Sequence, residues 1–367
     1  MTRQTLSGER SVRVLQSIGP QLPSKITNPF TVLLIQSMPA TVTTLHFTWL
    51  TAFARRYDVF HVHWPEHLIR GSGLPAKIKP ILFRILLWRL RVFNVKVVRT
   101  LHNIRPHEGG RPTEARLLEL LDKQTDAWII LNGTSPVEHP ERTRIIPHGH
   151  YREWYHPSTD VAPRRGTLLY FGGIRPYKGV FPLLAALEGT DETVALSILG
   201  RPVDAATREA VELAVAQDDR VRADLRFVSD EELTVAITES ERVILPYSDL
   251  HNSGSLILAL SLNRQVIVPS TPSTRELLSE FGSLWVVLYD GDLTTEILAR
   301  VLRSPLPTPE MRLDMSSRDW GPIGERHADL YHRVREGHAV GVAQTDAATA
   351  TEGQDEHMTS GLSERIQ

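Results

Sequence analysis

The chain has 367 residues, 41% of them hydrophobic, which is enough for two globular domains. Its formal charge of −2 excludes a dominant nucleic-acid field, and the absence of cysteine excludes disulfides, thiolate metal sites and a cysteine nucleophile. The N-terminus shows no apolar signal-peptide core, and no run of about 18 uncharged apolar residues occurs, so neither a signal peptide nor a membrane span is expected.

Residues 1–30 read as a polar, flexible leader. An N-terminal α/β domain is expected over residues 31–155, with residues 31–36 as its first strand and helical spacing over 44–55. A second strand over 58–64 ends in Pro65-Glu66-His67. Residues 77–93 interleave large apolar side chains, Ile78, Ile81, Ile85 and Trp88 among them, with five Lys and Arg, the pattern of a helix lying in a membrane interface. The alternative is a core helix whose cations reach out to water. A third strand over 95–101 ends at His102 and Asn103, with His107 and Glu108 close behind. A helix over 113–123 and strands over 127–131 and 144–146 follow, the last ending at Pro147-His148-Gly149. Residues 31–155 carry 17 Lys and Arg against 10 Asp and Glu, a basic half suited to an anionic ligand or an anionic membrane.

Residues 156–165 read as a linker. A second α/β domain follows over 166–305, with strands at 167–171, 194–199, 225–228, 242–245, 265–268 and 284–288. Helices over 306–340 would pack back on the first domain, and 341–367 has the composition of a disordered tail. The alternation argues two Rossmann-like, doubly wound α/β domains whose strand ends face a central cleft.

The opening of the second domain carries the strongest chemical signal. The apolar run to Phe171 passes through Gly172 and Gly173 to Arg175, Lys178 and the apolar start of a helix. Glycines let backbone N–H groups approach a diphosphate, the helix start adds partial positive charge, and Arg175 and Lys178 add whole charges. On spacing alone an ordinary basic loop explains it equally well. Ser253, Gly254 and Ser255 precede the apolar helix 256–262 and could hold the same phosphates or merely cap that helix. Glu66 is a candidate base at a strand end, set against a solvated loop residue. The histidines match no ligand spacing, and Asp290-Gly291-Asp292 reads as a turn, so no metal is expected.

Taken together, the loop Phe171–Gly179, the segment Ile145-Ile146-Pro147-His148-Gly149, the stretch from Pro246 to Val268, His61-Val62-His63-Trp64-Pro65-Glu66 and Thr100-Leu101-His102-Asn103 resemble the GT-B glycosyltransferases, group 1 and family 4-like. They are similar in particular to bacterial members that build exopolysaccharides on lipid carriers. Two departures stand out. The family's paired glutamates fall on Leu250 and Leu258, with Asp249 one position from the first, and His148 stands where asparagine is common.

The resemblance implies transfer of a hexose from a nucleotide-diphosphate sugar to a glycan or lipid-linked acceptor. GDP-mannose is the first expectation for the sugar donor and a UDP-sugar the next. The nucleotide sugar would be a co-substrate, with no further cofactor. His102 would bond the sugar or its leaving oxygen, and Glu66 would act as base. Asn103, His107, Glu108, His148, Asp249 and Asn252 would line the cleft. The enzyme would be cytoplasmic or peripheral on the inner membrane face, touching it through residues 77–93. The rival implied by the two leucines is a chain that binds a nucleotide sugar without turnover.

Overall fold

The computed structural model describes residues 10–19, 28–70, 74–102, 112–156, 163–247 and 252–341. The first sheet contains β1 (Val12–Gln16), β2 (Val42–His46), β3 (Val59–Val62), β4 (Lys96–Leu101), β5 (Ala127–Ile130) and β6 (Thr143–Ile145), in the order β2-β1-β3-β4-β5-β6. Its pairings are all parallel. Between these strands run α1 (Pro29–Gln36), α2 (Trp49–Ala54), α3 (Glu66–Ile69), α4 (Leu74–Val92) and α5 (Pro112–Gln124).

The second sheet, also parallel throughout, follows the order β12-β11-β10-β7-β8-β9. Its strands are β7 (Arg164–Phe171), β8 (Ala195–Leu199), β9 (Val221–Asp224), β10 (Ser240–Ile244), β11 (Gln265–Pro269) and β12 (Val286–Tyr289). Helices α6 (Val180–Glu188), α7 (Ala205–Gln217), α8 (Asp230–Glu239), α9 (Gly254–Ser261), α10 (Pro272–Phe281) and α11 (Thr295–Val301) connect them. A final helix, α12 (Trp320–Glu336), ends the described chain. The chain is thus an α/β protein of two doubly wound halves.

Several expectations need correction. Residues 1–30 contain no mere leader, because β1 lies within them, next to the centre of the sheet, with Val12, Val14 and Leu15 fully buried. The stretch 31–36 is helical, not a strand. Asn28 caps it, its side chain accepting the Phe30 N–H at 3.1 Å, and Pro29 occupies the first helical position, where a missing N–H costs nothing. Helical spacing over 44–55 divides into β2 and a short α2, whose cap is Thr48. In the second half the strand expected at 225–228 ends earlier, at Asp224, where β9 has already paired with β8. The tail over 342–367 and most of the linker lie outside the described residues.

α12 returns across the molecule to the first half. It packs on α1, β1 and β4. Arg144 bonds Asp329 at 2.5 Å, and the indole N–H of buried Trp320 donates to the His150 carbonyl at 2.6 Å. The approach to α1 is close enough to need a glycine, since a Cβ on Gly324 would lie 2.0 Å from the Ser37 carbonyl oxygen. Gly324→Ala is therefore expected to cost about 2–3 kcal/mol by overpacking against backbone, read as a lowered urea midpoint. An unchanged midpoint would show that α12 seats elsewhere.

Candidate functional site

In parallel α/β sheets the strand ends form one edge, and both sheets present theirs to the space between the halves. From the second half β7 delivers Gly172, whose φ of +111° suits glycine. A Cβ built there would lie 3.5 Å from the Tyr247 hydroxyl, 3.7 Å from Ser255 Oγ and 4.0 Å from Lys178 Nζ. Three polar groups thus converge on this one backbone position. At Gly173 the same construction meets nothing within 4 Å, so the loop opens onto space. A short 3-10 turn, Pro176–Lys178, then leads into α6.

Lys178 is the charge in this cradle. Its ammonium sits 4.7 Å from the Tyr247 ring centroid, and the Tyr247 hydroxyl donates to the Phe171 carbonyl at 3.0 Å. Burial, with Arg175 as a smaller contributor, lowers the Lys178 ammonium to about 8. It remains charged at neutral pH but poorly solvated; among the described residues no carboxylate pairs with it, and a phosphate would supply a counter-charge.

The start of α9 joins this cradle to the first half. Ser253 Oγ accepts the Leu256 N–H at 3.3 Å and so acts as the helix cap. Leu258, at the position of a family glutamate, is buried in the core instead. Asn252 reaches across the gap. Its amide donates to the Leu101 and His102 carbonyls at 3.3 and 3.1 Å, and its oxygen accepts from the Asn132 amide at 2.7 Å. Beside it both oxygens of Glu276 accept the Gly133 N–H at 3.1 Å. Asn132, His148, Asn252, Ser253, Glu276 and Arg318 line the cleft there.

His148 lies beneath the α9 start. Its Nδ1–H donates to the Gly149 carbonyl at 2.7 Å, leaving Nε2 to accept the Tyr151 hydroxyl at 3.2 Å, and a Cβ on Gly254 would sit 3.0 Å from that hydroxyl. The Phe30 ring stands between His148 and His102, with centroids 4.8 and 5.2 Å away. Lys178, Ser255, Gly254, His148, Phe30 and His102 therefore form one line of neighbouring residues.

His102 stacks on Trp64 at 4.1 Å, and its Nε2 lies 3.0 Å from His63 Nδ1. Glu66 opens α3 half-buried, and its carboxylate acts on Arg99, which burial lowers to about 10. Among the described residues no hydrogen bond or ion pair joins Glu66 to His102. Asn103, His107, Glu108 and Asp249 lie outside the described residues.

Sequence reasoning missed Gln16, Phe30, Tyr151, Tyr247, Glu276 and Tyr331 as parts of the site. The alternation His61-Val62-His63 was the available signal for two histidines on one strand face.

Burial is the main cause holding the clustered histidines neutral. It lowers His63 to about 3 and His148 and His327 to about 4, and pushes His61 and His102 well below the usual range. In the unfolded chain each binds its proton near 6.5. Protons thus favour the unfolded state as pH falls below that value, and stability is lost from 6.5 down towards about 4. The loss is expected to approach about 1.4 kcal/mol per pH unit for each histidine. Urea midpoints at intervals between pH 7.5 and 4.5 check this, and a level series would mean that these side chains titrate normally.

No protein-family model matches the chain. Over 328 residues, 87% of this chain and 92% of the relative, it is 39% identical to a GDP-mannose:glycolipid 4-beta-D-mannosyltransferase of Xanthomonas campestris pv. campestris. HepE of Anabaena, solved in complex with UDP, is similar in fold, with a TM-score of 0.57 and 13% identity over 89% of this chain and 98% of that one. A glycosyltransferase involved in avilamycin A biosynthesis gives a TM-score of 0.53 at 14% identity, over 90% and 99% of the two chains.

Proposed function

The chain belongs to the GT-B glycosyltransferases, in one family with the Xanthomonas mannosyltransferase, and from that premise we propose that it transfers mannose from GDP-mannose to a hydroxyl of a membrane glycolipid. The observation that carries the reading is the convergence of Lys178, Ser255 and Gly172 at the end of β7, with a line of neighbouring residues leading from it to His102. That cradle has the chemistry for a diphosphate leaving group.

In the transfer the acceptor oxygen forms a bond to the anomeric carbon while the bond from that carbon to the phosphate oxygen breaks. Positive charge gathers on the sugar ring, and negative charge gathers on the departing diphosphate. Lys178, Arg175, the amide of Gly173 and the start of α9 would stabilise the diphosphate, whereas the Gly172 N–H is already donated to the Leu199 carbonyl at 2.9 Å. His102 would contact the sugar, and Glu66 would take the proton of the acceptor hydroxyl. Release of GDP, with mannose appearing on a lipid-linked acceptor, tests the assignment. Turnover with a UDP-sugar in place of GDP-mannose would overturn the choice of sugar donor. Lys178→Ala is expected to lower kcat/KM at least about 100-fold, the scale for loss of one preorganised charge contact, while the unfolding free energy from urea titration stays within about 1 kcal/mol. Equal turnover would remove the diphosphate assignment.

A glycolipid acceptor requires the enzyme to work at a membrane, and α4 supports that. Its inner side is core, with Phe83, Leu86, Leu87 and Leu90 buried. Its outer side exposes Ile78, Ile81, Ile85, Trp88 and Val92, spaced as one helical stripe, with Ile81 61% and Trp88 65% accessible. Lys77, Arg84 and Arg91, seven apart, form an exposed neighbouring row. An apolar stripe beside a row of cations suits an anionic bilayer surface. Co-sedimentation with vesicles containing anionic lipid is expected for the unaltered chain and should fall at least tenfold for the double variant I81E/W88E. Equal sedimentation of the two would discard this surface.

A further inference from the structure

A chain of buried hydrogen bonds runs behind His102 and ends on it. His102 Nε2 meets His63 Nδ1 at 3.0 Å, and His63 Nε2 meets Gln16 Oε1 at 3.1 Å. Gln16 Nε2 meets the Tyr331 hydroxyl at 3.3 Å, that hydroxyl meets His61 Nδ1 at 2.7 Å, and His61 Nε2 meets Thr100 Oγ1 at 2.8 Å. Gln16, His61, His63, Thr100 and Tyr331 are all at most 2% accessible.

With the Gln16 amide oriented as it stands, Oε1 towards His63 and Nε2 towards Tyr331, every hydrogen along the chain is fixed. The Gln16 oxygen can only accept, so His63 carries its hydrogen on Nε2 and has a bare Nδ1. His102 must then donate from Nε2, and its own Nδ1 is left without hydrogen. In the other direction the Gln16 amide donates to Tyr331, Tyr331 donates to His61 Nδ1, and His61 donates from Nε2 to Thr100. Turning the Gln16 amide over would reverse every one of these hydrogens. The remaining members can each run either way, so the direction is set by Gln16, the one member whose donor and acceptor atoms cannot exchange roles.

The direction matters for the sugar. A bare Nδ1 accepts a hydrogen bond from a hydroxyl, whereas an Nδ1–H would donate to a phosphate oxygen. Among the described residues His102 Nδ1 has no hydrogen-bond partner. We propose that Gln16 is a positioning residue that holds His102 in its Nε2–H form, presenting Nδ1 as an acceptor for a hydroxyl of the bound sugar. This rests on the transferase reading above. It adds to that reading a specificity for a sugar hydroxyl and a remote residue that controls it.

The test reads the imidazole nitrogens directly. In the full-length enzyme labelled with 15N-histidine, the two-bond proton–nitrogen spectrum distinguishes Nε2–H from Nδ1–H, and His102→Gln assigns the signal by its loss. The Nε2–H pattern is expected for His102, and an Nδ1–H pattern overturns the proposal. Gln16→Leu should mix the two forms and lower kcat at least tenfold with the KM for the nucleotide sugar within about threefold. Gln16→Glu keeps an acceptor towards His63 and should restore the Nε2–H pattern and part of kcat. Unchanged kcat in Gln16→Leu also overturns the proposal. The spectrum needs no substrate, so it stands even where Gln16→Leu fails to fold. A wrong tautomer with active enzyme leaves the transferase reading in place, whereas no turnover in the unaltered enzyme would remove that reading alone.

Discussion

The arrangement depends on the first turn of α9. The first N–H groups of a helix have no partners within it; here Ser253 Oγ takes that of Leu256, and the Ser255 hydroxyl lies beside the Gly172 loop. The residue just before Ser253, Asn252, spends its amide on carbonyls at the end of β4 in the opposite half. One helix start therefore belongs to both the anion cradle and the contact between halves. Gly254 sits close enough to Tyr151 that a larger residue would crowd the floor of the cleft. A diphosphate held at the proposed cradle would lie against residues two or three positions from Asn252, which joins the halves.

Behind this contact lies a polar core that an apolar one would replace at lower risk. Burying histidine, glutamine and tyrosine together is costly unless every group finds a partner. Here each does, and α12 is what completes the set. Tyr331 comes from the last described helix and meets Gln16 from the first strand. The return of α12 to the first half is thus part of the site's construction as well as of its packing. Burial keeps the histidines neutral, and neutrality makes the placement of single hydrogens, rather than charge, the variable that the surrounding groups control.

α4 illustrates a different division of labour. A crossover helix in a parallel sheet needs only one apolar face, and α4 has two. Phe83 and Leu86 fill the core against the first sheet, while Ile81 and Trp88 face outward. Of its cations, Arg89 turns in to bond the Tyr57 hydroxyl and the Arg55 carbonyl, and Lys79 bonds the Arg70 carbonyl. The core-helix reading describes its buried side, and the proposed membrane contact would use the exposed one.

What the sequence by itself determined was local: the two α/β halves, the glycine loop after β7, the polar start of α9 and the unusual composition of α4. Each is written in a window of a dozen residues, as periodicity, as glycine where backbone must come close, or as charge beside apolar spacing. The misread elements were short. Five residues of β1 lie within a polar stretch, and α1 is an apolar run whose Asn28-Pro29 start was the only local sign of helix. Tertiary structure alone decided which polar residues would meet. Gln16 and Tyr331 are 315 positions apart, and Asn132 and Asn252 are 120 apart. A hydrogen bond over such a distance leaves no period in either segment, because its geometry comes from how sheets and helices stack and not from the spacing of neighbours along the chain.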